Sequence, residues 1–415
     1  MENNDFLSYL CLNLIQMKKT KPFLLASIGL LSVQVVHAQT GVWTAKADFS
    51  ASARASASSF VLQGKAYVCL GAGSGNAYYK DLWQYDPTTD KWTQKADFPG
   101  AGRAEAIAFV IDSFAYVGTG ISGSGSYSDM YRYSAGANKW TAIADFPDTR
   151  RAAGAFASGT SGYVLGGLGS SGSPTKTLHA YDPATNKWST KADFPGVARS
   201  YMTMLNSGSL GFAMGGFHAG TYYKDFYTYD FSSNTWTKKA DFTGDNRVAP
   251  AAFYLNDLVF IGNGRNPSAH KQDWFTYDIT KNQWTQNTNY PLNSTYGCIG
   301  LSIGAKAYCG LGLNGTTSFS KKVYEFSIAS ASNTEALVAL NTIHAYQVYG
   351  TGNIIVQRNA TAVVYSLRDI NGRLILRNQK MEHNSSHIEL PALSNGVYLL
   401  ELKAGNTVMI LKVYI

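Results

Sequence analysis

The sequence predicts an all-β protein: six copies of one four-stranded antiparallel unit, then a small β-sandwich. Three observations carry the prediction. One phrase recurs, as "VWTAKADF" from Val42, "KWTQKADFPGAGR" from Lys91, "KWTAIADFP" from Lys139, "KWSTKADFPGVAR" from Lys187, "TWTKKADFTGDNR" from Thr235 and, worn, "QWTQNTNYP" from Gln283. Its tryptophans, Trp43, Trp92, Trp140, Trp188, Trp236 and Trp284, lie 49, 48, 48, 48 and 48 residues apart, a period that marks a repeat architecture. Composition agrees: of 415 residues only 15% are charged, while 40 are Gly and 27 Tyr, which suits short strands and tight turns rather than helical bundles.

The N-terminus reads as an export signal over residues 1–38. Lys18, Lys19 and Lys21 precede an apolar run from about Phe23 to Val36, and Val36-His37-Ala38 resembles a cleavage site. The run is too short for a permanent membrane anchor. The sixteen residues before Met17 fit no signal pattern, so Met17 is the expected start.

Within each later period the same events recur. About 24 residues after the Trp comes an aromatic–apolar pair: Tyr67-Val68, Tyr116-Val117, Tyr163-Val164, Phe212-Ala213, Phe260-Ile261, Tyr308-Cys309. Glycines follow, then Tyr-Asp or its relic: Tyr85-Asp86, Tyr133, Tyr181-Asp182, Tyr229-Asp230, Tyr277-Asp278, Tyr324. Short runs between turn sequences such as "LQGK" and "DPTTDKW" read as hairpins. This set of marks, kept in one phase over six copies from about Gly41 to Phe326, resembles the kelch repeat. The resemblance implies a six-bladed β-propeller, residues 41–326, with four-stranded blades packed radially about an axis. Trp43 precedes every other strand and no Trp follows Phe326. The segment "GVWTAKADF" is therefore expected to supply the outer strand of the last blade and close the ring. The inner strands, such as "ARASASSF" and "RAAGAFA", carry the small residues that crowding at an axis requires. The Trp and Phe of the recurring phrase are expected to wedge between blades, as packing alone.

"SIASASNT" opens a linker, residues 327–340, and the repeat is gone beyond it. Residues 341–415 hold "AVVYSLRDINGRLIL" and three further strand-like runs with Asn-Gly and Gly-Asn turns, which reads as a small Ig-like β-sandwich. The features "LRDINGRLI", "LPALSNGVYLLEL" and a Lys-bearing terminal strand resemble the C-terminal sorting domain of the type IX secretion system of Bacteroidetes. The usual Tyr-Pro-Asn-Pro entry is replaced by "VYGTGN". The resemblance implies a protein secreted or held at the outer cell surface, with the secretion machinery as a partner. A generic Ig-like accessory module is the alternative.

A net charge of +8 is spread along the chain without a basic block, so nucleic acid is not an expected partner. A monomer is expected. After cleavage Cys69, Cys298 and Cys309 remain, an odd number; buried thiols and a Cys298–Cys309 disulfide both stay open.

Candidate site residues fall in two classes. Eleven residues after the Trp stand Arg54, Arg103, Arg151, Arg199 and Arg247, with Thr295 in the sixth repeat. The kelch resemblance places this position at a channel mouth that in some propellers binds acidic peptides, and converging guanidiniums suit carboxylate or phosphate. Periodic acids, Asp48, Asp97, Asp145, Asp193 and Asp241 and again Asp81, Asp129, Asp225 and Asp273, offer the competing reading of Arg–Asp latches within the loops. Two residues after the Arg the series runs Ser56, Glu105, Ala153, Tyr201, Ala249, Gly297, so Glu105 and Tyr201 stand out among small neighbours. Glu105 is a general acid/base candidate or a salt-bridge partner. The Gly/Ser/Tyr-rich loops on the same face carry Tyr78, Tyr79, Tyr127, Tyr222 and Tyr223, suited to stacking on sugar rings or peptide side chains.

These readings point to a binding module for a glycan or an extracellular protein. The alternative is a carbohydrate-active enzyme similar to the six-bladed sialic acid mutarotases, for which Glu105 with Arg199 or Arg247 is the candidate set. Galactose-oxidase-like kelch enzymes need copper held by two His and two Tyr. Here His179, His218 and His270 fall at unrelated phases, and no cofactor or metal is expected.

Overall fold

The computed structural model describes residues 41–328, apart from 293–294 and 316–317. Beyond them it describes 343–347, 353–358, 364–369, 373–380, 387–390, 393, 397–404 and 407–414. The expected leader and most of the 327–340 linker lie outside the described residues.

Six four-stranded antiparallel sheets follow one another along the chain. Their inner strands are Ser58–Leu62, Ile107–Ile111, Gly154–Ala157, Thr203–Ser207, Ala251–Leu255 and Ile299–Ile303. Each inner strand neighbours the next, and the sixth neighbours the first, so the sheets form a closed wheel. Five outer strands come from the same repeat as their sheet. The sixth comes from the other end of the propeller: Gly41–Ala45 pairs antiparallel with Val323–Ile328 in the register Gly41↔Ile328 to Ala45↔Tyr324. The wheel therefore extends two residues past Phe326, to Ile328.

The core lies in the seams between blades. One buried cluster joins Phe60, Tyr67 and Leu82 of the first blade to Val117, Tyr133 and Trp140 of the second, and equivalent clusters fill the other seams. The Trp of the recurring phrase stands edge-on to the Phe one repeat earlier, as in Phe49–Trp92 at 4.9 Å and Phe242–Trp284 at 5.0 Å. Tyr290 plays that part for Trp43, at 5.1 Å. Packing is not the whole role of these tryptophans. Each indole N–H also donates to a carbonyl of the preceding blade, from Trp140 to Ala96 at 2.8 Å and from Trp43 to Thr288 at 3.3 Å. In the turn just before four of these tryptophans, Asn138, Asn186, Asn234 and Asn282 accept both a backbone N–H of the preceding blade and a Tyr hydroxyl of their own. Every seam thus combines apolar burial with satisfied polar groups.

Just before the inner strands the chain makes a second, smaller ring. The backbone N–H of Glu105 donates to Ser56, Ala152 to Glu105, Tyr201 to Ala152, Ala249 to Tyr201, Gly297 to Ala249 and Ser56 to Gly297, at 2.9–3.4 Å. All six residues have left-handed φ: 52°, 56°, 52°, 57°, 46° and 63° in the order Ser56, Glu105, Ala152, Tyr201, Ala249, Gly297. Only one is Gly, so five side chains are held in a conformation that ordinarily costs about 1–3 kcal/mol. This ring is the neck of the channel.

The C-terminal region holds two antiparallel sheets. One contains Ile343–Gln347, Asn353–Arg358 and His387–Glu389; the other contains Leu374–Lys380, Val364–Asp369, Val397–Ala404 and Thr407–Tyr414. Leu367, Leu400 and Leu402 of the second sheet are buried. Among the described residues no helix is long and apolar enough to cross a membrane.

Candidate binding site at the channel mouth

Four of the repeating arginines are latches. Arg54, Arg103, Arg199 and Arg247 are at most 1% exposed and pair with Asp81, Asp129, Asp225 and Asp273 through both terminal nitrogens. In Arg247 the two bonds measure 2.7 and 2.9 Å, and two further donors reach the carbonyls of Asn263 and Asp245 at 3.0 Å each. Three of the four latches are sandwiched by rings, and Arg247 has a ring on one side. Phe49, Phe98, Phe194 and Phe242 lie on one side, and Tyr79, Tyr127 and Tyr223 cap Arg54, Arg103 and Arg199 at 4.1, 3.8 and 3.8 Å. Each of these buried guanidiniums is held by four hydrogen bonds within its own blade, and those three tyrosines are lids. Arg199 and Arg247, each held by its own Asp, do not reach Glu105, whose partners are Tyr201 and Arg151.

The third blade departs from the series by one residue. The loop from Phe146 to Arg150 is one residue shorter than that from Phe98 to Arg103, so Arg150, 4% exposed, takes the latch position. It donates to the Gly166 carbonyl at 2.8 Å, as the other latches do to theirs. Its expected carboxylate is replaced by Thr177, and the nearest acid, Asp148, is 3.8 Å away. Burial lowers the Arg150 pKa. The shift moves Ala152, not Ala153, into the neck and releases Arg151 from the latch.

Released, Arg151 joins the two side chains that broke the series. Tyr201 donates its hydroxyl to Glu105 Oε1 at 2.6 Å, and Arg151 Nη1 lies 3.3 Å from Glu105 Oε2. Burial, then the Glu105 carboxylate, raises the Tyr201 phenol pKa. The pair spans the neck from the second blade to the fourth and narrows the channel. Above it lies a cavity of about 210 Å³ lined by Ser56, Glu105, Tyr201, Phe217, Tyr222, Val248, Ala249, Arg265 and Tyr296. The far end of the channel is wider, about 590 Å³, and is lined by the other ends of the inner strands.

Arg265 and Tyr296 were not among the expected site residues, although the sequence carries a signal for Arg265. Its backbone bridges Val248, as Ala72 bridges Ala55, Ile121 bridges Ala104, Leu168 bridges Arg151 and Phe217 bridges Ser200. At that position the other blades carry an apolar residue. Arg265 is the exception, and its guanidinium stands over the Tyr296 ring at 5.2 Å.

The three cysteines of the propeller are free thiols. Burial raises the Cys69 pKa. Cys298 and Cys309 share one donor, the Asn263 amide, at 3.7 and 3.6 Å from their sulfurs.

Comparison with known proteins agrees with this architecture. Residues 145–309 match the family described as "KLHDC2/KLHL20/DRC7 Kelch-repeats domain", and residues 53–99 match "Kelch motif". Residues 350–415 match "Secretion system C-terminal sorting domain". The chain carries kelch repeats followed by a type IX sorting domain. Among solved structures, one titled "Structure of YjhT" resembles this kelch propeller over 68% of this chain and 97% of its own, with a TM-score of 0.60 at 17% identity, a likeness of fold. Among curated proteins none matches significantly. The sorting domain directs the kelch protein to secretion and attachment at the cell surface, and implies an interaction with the secretion machinery.

Proposed function

We propose that the kelch propeller is a surface binding module whose channel mouth holds part of a glycan or of an extracellular protein. The observation that supports this reading is the floor of the mouth. Of six equivalent neck positions only Glu105 and Tyr201 carry large side chains, and these two meet. They turn an open channel into a cup with aromatic walls, the usual make-up of a small-ligand site. Tyr222 and Tyr296 offer flat, amphipathic faces to a sugar ring or a peptide side chain. A glycan array and a screen of surface-protein fragments test the reading. Binding without turnover, lost on Tyr222→Ala, is the expected result; unchanged binding in that variant refutes the placement at the mouth.

A second reading, a carbohydrate-active enzyme of the mutarotase type, draws on one observation. A carboxylate and a phenol lie 2.6 Å apart at the base of a cavity of sugar size. It requires anomer interconversion that disappears on Glu105→Gln.

A further inference from the structure

The sixth blade has no latch arginine. Thr295 stands at that position, 0% exposed and with its hydroxyl unpartnered. The backbone fixes the equivalence: the Gly264 N–H donates to the Thr295 carbonyl as Gly216 donates to Arg247 and Gly71 to Arg103. In the other blades the latch arginine donates to a carbonyl sixteen residues further on. In the sixth that carbonyl, Leu311, receives Cys298 Sγ instead, at 3.5 Å.

Cys298 and Cys309 both break their series, and they do so in this one blade. Directly after the neck the other blades carry Ala57, Ala106, Ala153, Met202 and Pro250; at the place of Cys309 they carry Val68, Val117, Val164, Ala213 and Ile261. The register puts both cysteines on one face of the sheet, since Gly300 pairs with Cys309 and Cys298 lies two residues before Gly300. Asn263, 0% exposed, gives its oxygen to the Trp274 indole at 3.1 Å and so turns its Nδ2 to the two sulfurs, at 3.7 and 3.6 Å. Cys298 is half-buried and lines the channel at the neck, where about 200 Å³ is open; Cys309 is fully buried behind it. Hydrogen bonds from Cys309 and then Asn263 lower the Cys298 pKa against the opposing effect of burial, while burial raises that of Cys309. The accessible thiol is therefore the better nucleophile, and the hidden one stands beside it. A protein sent out of the cell carries such a pair into oxidising surroundings.

We propose that Cys298 and Cys309 are an oxidisable pair, which a peroxide joins into a disulfide that fastens the neck to its own blade where the sixth latch is missing. The Cys298 thiolate attacks one peroxide oxygen and the O–O bond breaks. The departing hydroxide takes up the thiol proton and leaves as water, and Cys298 becomes a sulfenic acid. The Cys309 sulfur then attacks the Cys298 sulfur and the S–O bond breaks; hydroxide leaves as a second water with the Cys309 proton. Two thiols are oxidised to one disulfide and one hydrogen peroxide is reduced to two waters. Gly297, next to Cys298, bonds Ala249 and Ser56 in the neck, so the link runs from that ring to the strand Lys306–Gly310.

The test treats the mature full-length chain, first reduced, with stoichiometric hydrogen peroxide. Remaining thiols are alkylated in denaturant and located by peptide mass mapping. The expected result is joint loss of the Cys298 and Cys309 thiols, as one cross-linked peptide pair lighter by two hydrogens, with the Cys69 thiol retained. The oxidised chain is expected to unfold at higher urea than the reduced one, and dithiothreitol to reverse both changes. Cys309→Ala, which installs the residue of the fourth blade, is expected to stop at a Cys298 sulfenic acid captured by dimedone. Cys298→Ala, which installs the residue of the first three blades, is expected to leave Cys309 unoxidised. In both variants the peroxide-dependent shift of the urea midpoint should vanish. Oxidation of Cys298 in the parent chain with the Cys309 thiol intact, pairing of Cys298 with Cys69 or with another chain, no consumption of either thiol, or a disulfide that does not raise the urea midpoint overturns the proposal.

Discussion

The third blade lacks a latch that four blades possess, and restoring it is a direct test of how the wheel is held. Thr177→Asp places a carboxylate where Asp81, Asp129, Asp225 and Asp273 stand in their own blades. The repair adds two charge-assisted hydrogen bonds to a guanidinium that is now 4% exposed, with its Nε unpartnered and its nearest acid at 3.8 Å. Against this stand the loss of the Thr175–Thr177 hydroxyl contact, 2.9 Å, and the desolvation of the new carboxylate. The neighbouring latch acids keep 17–28% of their side-chain surface, so that desolvation is partial. At about 1.5–3 kcal/mol per charged bond, less about 1 kcal/mol for the hydroxyl pair and part of the remainder for desolvation, the net gain is about 1–2 kcal/mol. The reverse change, Asp225→Thr, strands the Arg199 guanidinium and is expected to cost about 3–5 kcal/mol, since removing one partner of a buried pair leaves the other unmatched. Both are read from urea unfolding followed by tryptophan fluorescence. The order of stability should survive added salt, because buried pairs are screened weakly. A Thr177→Asp variant less stable than the parent, together with an Asp225→Thr cost below about 1 kcal/mol, would refute the view that these arginines are structural.

Two further outcomes follow from the seams. Deleting Gly41 to Phe49 removes the outer strand of the sixth blade and Trp43, whose ring meets Trp274, Tyr290 and Phe326 at 5.2, 5.1 and 4.8 Å. The loss should exceed the roughly 3–5 kcal/mol of a buried Trp→Ala change and should bare a sheet edge that self-associates; unchanged thermal unfolding would rule out closure by this strand. The second prediction concerns alkali. Burial pushes Tyr181, Tyr229 and Tyr277 up to about 12 from 10.0, and each hydroxyl donates to its seam Asn at 2.6–2.8 Å. A phenol whose folded value is raised holds a proton that the unfolded chain releases, so stability is fully present below about pH 10 and falls as pH rises through about 12. Each group should contribute about 1.4 kcal/mol per pH unit in that window, and a guanidinium midpoint that stays constant from roughly pH 9 to 12 contradicts the assignment.

The wheel was legible because its signal is a phase, kept by Trp, Gly and Tyr-Asp over six copies. Closure was legible from an excess Trp at one end of the repeats and a missing one at the other. The seam asparagines were missed because Asn before Lys-Trp reads as ordinary turn chemistry; only the folded ring brings Asn138 to Ala96 and Asn186 to Ala144. The arginine series held both answers at once. Arg and Asp recurred together 26 or 27 residues apart, and the choice between ligand and latch depended on a distance that sequence does not carry. Arg151 was misplaced by a single-residue deletion that counting from Trp140 cannot detect. Arg265 was hidden differently. It stands 17 residues after Val248, the interval that also separates Ala72 from Ala55 and Phe217 from Ser200, but only the folded ring shows that this loop position lines the mouth.

Repetition and its exceptions divide the labour in this molecule. A position filled alike in every blade must be satisfied by the blade itself, and the latches and the indole N–H groups are. A position filled once is not required by the wheel. Glu105, Tyr201, Arg151, Arg265 and Tyr296 are exceptions of this kind, and they gather around one mouth instead of scattering over six. The neck explains how such exceptions are tolerated. Its left-handed backbone is held by hydrogen bonds running from blade to blade, and Ser56, Ala152 and Ala249 adopt it as Glu105 and Tyr201 do. Exchanging a small non-glycine side chain there for a large one therefore leaves the ring's backbone in place. The floor of the cup is free to change with the ligand while the six blades stay as they are.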